Sequence, residues 1–336
     1  MPATAIATPN IALIKYWGNQ SEELRLPAAD SLSMTLDTPS VEVTVEHSKE
    51  LVVYSYLESG LERTLTDKHV HRFGHHLALM KQYLDMLRIP SDVLPASLSI
   101  TIRSHIPPSI GLASSAAVFA GVARAVAGLV GEAFPLSDEQ VSVMARLGSG
   151  SAARSIYGGY VALRAGKTNS IDAAHAEQIA DEKHWILHDI AIIPSQEEKA
   201  IGSTEGHALA STSPYFVERV DAIMHRRLRE CIDAIKARDF EKLQHVAEED
   251  ALDMHKVMET STPALNYLTK DTHRIITEVK AMRERQHLPV LYTMDAGPTV
   301  HLFCTEEARL VVLGYARSQK SCTVFETQTG PGARST

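Results

Sequence analysis

The 336-residue sequence has few cysteines and no excess of positive charge. Its three cysteines, Cys231, Cys304 and Cys322, are odd in number and lack CxxC spacing. This pattern excludes a disulfide framework or a zinc ribbon and fits a reducing cytosol. Lysines and arginines total 33 against 41 aspartates and glutamates, for a net charge of −8. No broad basic field is therefore available for nucleic acid or an anionic membrane, and an anionic substrate needs a local cluster of cations.

Long hydrophobic runs are also scarce. The N-terminal stretch MPATAIATPNIALIKYW has no basic segment before its apolar residues, so we expect no signal peptide and a cytoplasmic protein. Residues 106–131 approach the length of a membrane span, but they are rich in alanine, glycine and serine and contain Arg124. A charge at the centre of a spanning helix costs at least about 2.5 kcal/mol. We therefore predict a helix that is buried in the protein core.

Strand and helix patterns are interspersed along the chain. Apolar residues alternate at 41–46, 97–103 and 160–164, and similar runs lie near Ile190 and Val300, as is typical of strands with one buried face. Helical periodicity covers residues 218–237 and 272–285. Because the elements follow no regular βαβ order, the pattern predicts an α+β fold and not a doubly wound sheet.

The length suggests two domains. The polar, alanine-rich stretch 166–185 is the weakest join, so we place the domains at 1–185 and 186–336. We expect the C-terminal residues 327–336 to be frayed. Three further polar stretches are predicted to be solvated helix faces: the histidine-rich residues 69–76, the basic residues 224–230 and the acidic residues 247–255.

One glycine- and serine-rich stretch could bind phosphate. Gly111, Ser114 and Ser115 stand between the predicted strand 97–103 and the predicted buried helix. Helix N-terminal amides are unpaired and carry a partial positive charge, so they can cradle an anion, and a serine hydroxyl can add a phosphate contact or a Mg²⁺ ligand. The stretch lacks the GxxxxGK[ST] pattern of a Walker loop. Plain helix capping is the alternative interpretation.

Three charged residues are candidates for catalysis or for substrate binding. Lys15 follows an apolar, strand-like run and precedes Tyr16 and Trp17, although a lysine in such a place can also simply snorkel to the surface. Arg154 lies in the glycine- and serine-rich stretch 147–160, which suits a carboxylate or a phosphate. Asp295 lies in an Asp-Ala-Gly-Pro turn, where an aspartate can also serve only as a turn former.

Taken together, these stretches resemble a known family. The segments NIALIKYWG (10–18), SLSMTL (31–36), GLASSAA (111–117), GSGSAARSIYGG (148–159) and MDAGP (294–298) are similar, in the same order, to those of the ATP-dependent mevalonate diphosphate decarboxylases of the GHMP kinase superfamily. The resemblance covers nearly the whole chain. It implies an N-terminal α+β domain with a phosphate loop, a ferredoxin-like C-terminal domain, and an active site between them.

The resemblance also implies site residues, cofactors and partners. The catalytic residues would be Asp295, Lys15, Ser203 and Arg154, of which Arg154 would bind the substrate carboxylate. The ATP phosphates would lie against Gly111, Leu112, Ala113, Ser114, Ser115 and Ala116, with Ser115 as a Mg²⁺ ligand. The substrate, a phosphorylated mevalonate, would contact Tyr16, Trp17, Asn19, Ser149, Gly150, Ser151 and Arg154. ATP and Mg²⁺ would suffice without an organic cofactor, and the enzyme would commonly be a homodimer.

The sequence departs from the family pattern at one motif position. Members that use the diphosphate read KYWGK, where the second lysine reaches the substrate's diphosphate, but this chain has Asn19 there. A charge-assisted hydrogen bond is worth about 1.5–3 kcal/mol, and its loss should weaken binding of a diphosphate more than of a monophosphate. We therefore expect mevalonate 5-phosphate to be converted to isopentenyl phosphate. The alternatives are mevalonate 5-diphosphate decarboxylation, a mevalonate 3-kinase or other small-molecule kinase, and a non-catalytic nucleotide-binding protein.

Overall fold

A computed structural model describes residues 1–94, 97–106, 114–131, 133–194 and 202–336, and it confirms the α+β class. The first strands are β1 Ala3–Ala7, β2 Asn10–Ile14, β3 Asn19–Ser21, β4 Leu26–Pro27, β5 Ser31–Thr35, β6 Val41–Ser48, β7 Val52–Leu57 and β8 Ser97–Ser104. The later strands are β9 Tyr160–Arg164, β10 His175–Ala180, β11 His188–Ile193, β12 Val290–Thr293, β13 Val300–Cys304, β14 Thr323–Gln328 and β15 Arg334–Ser335.

Helices lie between these strands, and one predicted helix is interrupted. The helices are α1 Asp67–Met86, α2 Ser114–Val130, α3 Asp138–Gly148, α4 Ser203–Leu209, α5 Phe216–Ala222, α6 Leu228–Ala237, α7 Phe240–Glu259, α8 Lys270–Gln286 and α9 Glu306–Arg317. The helix predicted at 272–285 is confirmed as α8. The helix predicted at 218–237 consists of α5 and α6 joined by a π-helical turn, Ile223–Arg227.

The strands form three main sheets. One has the order β15-β1-β6-β8-β7, in which β7 and β8 are parallel. The second has the order β10-β9-β5-β2, and the third, β12-β13-β11-β14, is antiparallel throughout. Strands β3 and β4 form a separate small hairpin. In the second sheet, every residue of β2 and β5 is buried, so the residues at the ends of these strands are held rigidly.

Helix α2 is a core helix, as its sequence predicted. Ala116, Ala120 and Val126 are fully buried, and the helix packs on β1 and β6. Small residues allow this close approach: a Cβ on Gly121 would lie 2.7 Å from Val43 Cγ2. None of the helices in the described part of the chain is long and apolar enough to cross a membrane.

The expectation that the C-terminus is frayed was wrong. The C-terminal residues are not frayed, because β15 pairs with β1 and the Gly330 amide donates to the Thr35 carbonyl at 2.8 Å. Backbone pairing with distant parts of the chain, which composition does not report, orders these residues. The stretch 166–185 contains β10, which pairs along β9, and the domain boundary placed at residue 185 stays a prediction.

The prediction of three solvated helix faces was wrong in part. His76, Arg227, Asp250 and His255 are all at least nine-tenths buried. Arg227, at the end of the π-helical turn, and Asp250, on α7, can be buried because they face each other, with Arg227 Nη1 3.3 Å from Asp250 Oδ1. Burial of a charge is tolerated when an opposite charge and hydrogen bonds replace water.

Candidate active site

Lys15 and Asp295 form an ion pair at the centre of the candidate site. Lys15 directly follows β2, and Asp295 lies just beyond β12. The ammonium of Lys15 donates to Asp295 Oδ1 at 2.7 Å, although 280 residues separate the two along the chain. The Lys15 side chain is 1% exposed and that of Asp295 is 33% exposed. The carboxylate is therefore the partner that an incoming molecule can reach.

The surroundings keep Asp295 ionised. Burial opposes its charge, but the charges of Lys15, His301 and Arg154 outweigh burial, and the pKa of Asp295 is lowered. His301 is itself held by a hydrogen bond of 2.8 Å between its Nδ1 and Asp189 Oδ2. An ionised carboxylate with one side open to the cleft can accept a proton from a substrate hydroxyl.

Arg154 is a buried cation held only by neutral groups. It lies in a 3₁₀-helix, Gly150–Ile156, and is 2% exposed. Its Nε donates to Ser33 Oγ at 2.9 Å and to Asn10 Oδ1 at 3.2 Å, and its Nη1 donates to Ser31 Oγ at 2.6 Å. Burial lowers the pKa of Arg154 to about 10, so the side chain is still charged at neutral pH. It forms no ion pair within the described residues, which leaves its charge available for an anion.

An aromatic wall stands next to these charges. The ring of His207 stacks at 4.3 Å from Tyr16 and 4.6 Å from Trp17, between ring centroids. Its Nδ1 accepts a hydrogen bond of 3.0 Å from the Gly18 amide. Burial and the charges of Arg25 and Arg154 lower the pKa of His207 to about 3, so the ring is neutral. Gly150 faces the same wall, since a Cβ there would overlap the Tyr16 ring.

Asn19 contacts the aromatic wall at Tyr16, and Ser203 lies on the helix that carries His207. The Tyr16 hydroxyl donates to Asn19 Oδ1, and Asn19 Nδ2 donates to Glu22 Oε2 at 2.8 Å. Ser203 is the exposed first residue of α4, one helical turn before His207. No hydrogen bond joins Ser203 to Lys15, Arg154 or Asp295 among the described contacts, and its catalytic role stays a prediction.

The predicted phosphate loop is described only at its helical end. Gly111, Leu112 and Ala113 lie outside the described residues. Ser114 and Ser115 begin α2, and Ala116 is buried behind them. The Ser115 hydroxyl is 3.3 Å from that of Ser149, which is in turn 3.5 Å from that of Ser151. The helix N-terminus and three hydroxyls thus lie together, and Asn10, which accepts from Arg154, donates to the Ser151 carbonyl at 3.0 Å.

The donor set suits Mg²⁺ held mainly by a nucleotide. Within the described part of the chain, no group of three His, Cys, Asp or Glu side chains could form a metal cage. Mg²⁺ keeps several waters and is usually bound by one or two protein oxygens together with substrate phosphates. The hydroxyls of Ser115 and Ser149, which lie side by side at a helix N-terminus, are oxygen donors of that kind.

Several residues of the site were not identified from sequence. Asn10, Ser31 and Ser33, which hold Arg154, lie in segments that carried the family resemblance, but no role was assigned to them. His207 gave no signal, because its contact with Tyr16 and Trp17 depends on where α4 packs. Asp250 and Arg219, which bind the main chain of Lys15, lie on helices whose charges suggested only a solvated face.

Comparison with known proteins covers nearly the whole chain. Residues 7–174 match the family model described as the diphosphomevalonate decarboxylase-like N-terminal domain. Residues 190–328 match the mevalonate 5-diphosphate decarboxylase C-terminal domain. The diphosphomevalonate decarboxylase of Homo sapiens is 33% identical over 90% of this chain and 77% of that protein. The enzyme of Eremothecium gossypii is 34% identical over 92% of this chain and 79% of that protein.

Solved structures agree with these matches. A structure of MDDEF in complex with MVAPP, AMPPCP and magnesium superposes with a TM-score of 0.86 at 30% identity, covering 100% of this chain and 99% of that one. The mevalonate diphosphate decarboxylase of Staphylococcus aureus gives a TM-score of 0.85 at 29% identity, with 100% and 98% coverage. These names support the diphosphate alternative better than the expected monophosphate substrate. The chain belongs to the diphosphomevalonate decarboxylase family of carboxy-lyases.

Proposed function

We propose that this chain catalyses the ATP-dependent decarboxylation of a 5-phosphorylated mevalonate, with Mg²⁺ as the metal cofactor. The observation that carries the proposal is the proximity of Lys15 and Arg154 to Asp295. Asp295 offers an ionised carboxylate, Lys15 is in contact with it, and the charge of Arg154 also acts on it. Both cations are buried. A β-hydroxy acid with a tertiary C3 hydroxyl presents a proton for Asp295 and a carboxylate for Arg154.

Each of these residues has a chemical task in the reaction. ATP with Mg²⁺ supplies the phosphoryl group that turns the C3 hydroxyl into a leaving group. Asp295 orients that hydroxyl and accepts its proton. Lys15 keeps Asp295 ionised and places a positive charge where negative charge develops. Arg154 holds the carboxylate while the C3–O bond breaks, and the C–C electron pair then forms the alkene as CO2 departs. Orthophosphate and ADP are the other products.

Asn19 favours mevalonate 5-phosphate as the substrate. Position 19 offers a neutral amide, and its Nδ2 is already engaged by the carboxylate of Glu22 at 2.8 Å. A second phosphate placed there would meet a carboxylate and no ammonium. Like charges at close range disfavour binding, and a charge-assisted hydrogen bond is absent. We infer a higher kcat/KM for the monophosphate than for the diphosphate, with isopentenyl phosphate as product.

Mevalonate 5-diphosphate is the second candidate substrate. It is supported by the names of the relatives, which are diphosphomevalonate decarboxylases. A further cation near the serine hydroxyls is Arg72, whose Nη2 donates to the Gly148 carbonyl at 3.0 Å beside Ser149. Arg72 forms no ion pair within the described chain, and burial together with Arg25 lowers its pKa to about 10. This cation could bind a phosphate of either ester.

Side-by-side turnover tests the proposal. The full chain with ATP and Mg²⁺ is given mevalonate, its 5-phosphate or its 5-diphosphate, and CO2, orthophosphate and phosphorylated organic products are measured. We expect CO2 and orthophosphate in equal amounts, with the highest kcat/KM for the 5-phosphate. A higher kcat/KM for the 5-diphosphate would establish the second candidate. A stable phosphorylated product without CO2 would identify a kinase, and ATP binding without turnover would contradict an enzymatic role.

Five further points belong to this proposal: the phosphate-binding role of residues 111–116, the catalytic role of Ser203, the domain boundary at residue 185, a homodimer and a cytoplasmic location. The serine hydroxyls at the start of α2 support the first of these. Light scattering of the purified chain measures the oligomeric state, and we expect a mass twice that of the 36.8 kDa chain.

A further inference from the structure

The main chain of Lys15 is bound on both sides by a buried ion pair. The Lys15 amide donates to Asp250 Oδ2 at 2.7 Å, and the Lys15 carbonyl accepts from Arg219 Nη2 at 3.3 Å. Asp250 and Arg219 also bind each other, with Nη2 2.9 Å from Oδ2. Asp250 is fully buried and Arg219 is 2% exposed. One carboxylate and one guanidinium thus hold the residue between β2 and the aromatic wall.

The pair is built from helices that are distant in sequence from Lys15. Arg219 lies on α5 and Asp250 on α7, where Arg219 Nη1 also donates to the Asp250 carbonyl at 3.0 Å. On the far side of Asp250, Arg227 Nη1 approaches Oδ1 at 3.3 Å and Asp253 Oδ2 at 2.6 Å. Asp250 therefore receives donors on both oxygens and cannot turn away from Lys15.

The π-helical turn Ile223–Arg227 makes this convergence possible. In a continuous α-helix, Arg219 and Arg227 would differ by about 80° around the axis, since each residue turns about 100°. One extra residue in a π-type turn reduces the difference to about 20°. Both guanidiniums then face α7 and reach Asp250. π-type turns often occur at functional sites, and here the turn serves the residue that carries the ammonium of the reaction centre.

We propose that Asp250 and Arg219 are positioning residues, which fix the main chain of Lys15 so that its ammonium meets Asp295 and the transferring phosphoryl group. They touch no substrate atom and act only through Lys15. A lysine side chain has four rotatable bonds, so the position of its ammonium depends on a fixed starting point in the backbone. Small displacements of reacting groups have large effects on rate. The inference rests on the proposed decarboxylation, which is tested separately by turnover of the wild type.

Asp250→Asn and Arg219→Lys test this role, with Asp253→Asn as the matched control. Asp253 lies on the same helix and binds the same two arginines, Arg219 at 3.4 Å and Arg227 at 2.6 Å, but it makes no hydrogen bond to Lys15 in the described structure. All variants keep nearly the same volume. Folding is followed by thermal unfolding, and kinetics are measured on the ester that the wild type turns over.

We expect Asp250→Asn and Arg219→Lys to lower kcat by about ten-fold or more, with KM for ATP within about two-fold of wild type. Because Lys15 lowers the pKa of Asp295, the acid limb of the kcat/KM profile should also move to higher pH. Asp253→Asn should lower the melting temperature and leave both kcat and the acid limb in place. A purely stabilising role would change only the melting temperature.

Three results would overturn the proposal. The first is a wild-type kcat and acid limb in both folded variants. The second is an equal effect of Asp253→Asn, which would assign the change to the charge cluster as a whole. The third is failure of both variants to fold, which would make the pair structural. If only Asp250→Asn fails to fold, Arg219→Lys decides. Inactivity of the wild type on every ester would instead refute the proposed function.

Discussion

Gly150 lies directly against the phenol of Tyr16, so that a Cβ at Gly150 would stand 2.5 Å from the Tyr16 hydroxyl oxygen. Tyr16 in turn donates to Asn19 and stacks on His207. The absence of a side chain at position 150 therefore sets the position of the aromatic wall. Glycine is needed here for close approach and not for an unusual backbone angle.

Gly150→Ala should push Tyr16 out of place. We expect kcat/KM for the phosphorylated substrate to fall by about ten-fold or more, since displacement of a contact residue misplaces the substrate. Gly314→Ala is the matched control, because no atom lies within 4 Å of the added Cβ and the position is inside α9. That change should stabilise the helix by about 0.5–1 kcal/mol. Equal kcat/KM for Gly150→Ala and wild type would show that Tyr16 can move without consequence.

Lys15→Met should shift the pH dependence of the reaction. The active form of Asp295 is the ionised one, which exists above its pKa. Lys15, His301 and Arg154 lower this pKa, and His255 also lies close to Asp295. Without Lys15, fewer positive charges offset the effect of burial on Asp295, so its pKa rises. As the pH is lowered, Asp295 is then protonated, and activity is lost, at a higher pH than in the wild type. We expect a large fall in kcat and an acid limb of kcat/KM displaced upward. An unchanged acid limb would separate Lys15 from the ionisation of Asp295.

Arg154→Lys should weaken substrate binding. The guanidinium uses Nε and Nη1 for Asn10, Ser31 and Ser33 and presents its remaining donors as a planar fork, which an ammonium cannot reproduce. We expect kcat/KM to fall by about one to two decades, as for loss of a charge-assisted contact worth about 1.5–3 kcal/mol.

Arg146→Lys is the control for this substitution. Arg146 is also fully buried, but it donates to the backbone carbonyls of Ala174, Leu24 and Ile171. Its replacement should lower the melting temperature and change KM for the mevalonate ester little. If Arg146→Lys raises this KM as much as Arg154→Lys does, the binding role of Arg154 is contradicted.

Asn19→Lys should change substrate preference. The new ammonium would lie beside Glu22, now bound to Asn19 at 2.8 Å, so Glu22→Gln is combined with it to free the charge. We expect the ratio of kcat/KM for the diphosphate over the monophosphate to rise by about ten-fold or more in the double variant, and less in Asn19→Lys alone. A ratio equal to that of the wild type would mean that position 19 does not face the phosphate.

Acid should destabilise the protein through buried neutral histidines. Burial lowers the pKa of His76 to about 4 and that of His255 to about 3, whereas both titrate near 6.5 in the unfolded chain. Between about pH 4 and about pH 6.5 the unfolded state therefore binds more protons than the folded state does. The free energy of unfolding falls as the pH drops below about 6.5. At pH 5 each histidine should cost about 2 kcal/mol. Denaturant unfolding at pH 7 and 5 measures this, and His255→Gln should reduce the difference. An equal difference in that variant would contradict the assignment.

The sequence by itself determined the elements and the catalytic candidates. Periodicity identified the strands near 41–46, 97–103 and 160–164, and a charge within an Ala- and Gly-rich run indicated a buried helix, because these signals are local. The short segments that carried the family resemblance also named Lys15, Arg154 and Asp295.

Only the tertiary structure decided which polar residues are buried and what they hold. Asp250 and Arg227 lie in stretches whose charge suggested a solvated face, yet the packing of the π-helical turn against α7 pairs them away from water. His207 contacts Tyr16 and Trp17 because α4 packs beside the end of β2. Ser31 and Ser33 bind Arg154 because β5 lies beside the 3₁₀-helix. The C-terminal residues became ordered by pairing with β1. Each of these outcomes depends on a partner that is distant in sequence, and a local pattern contains no information about that partner.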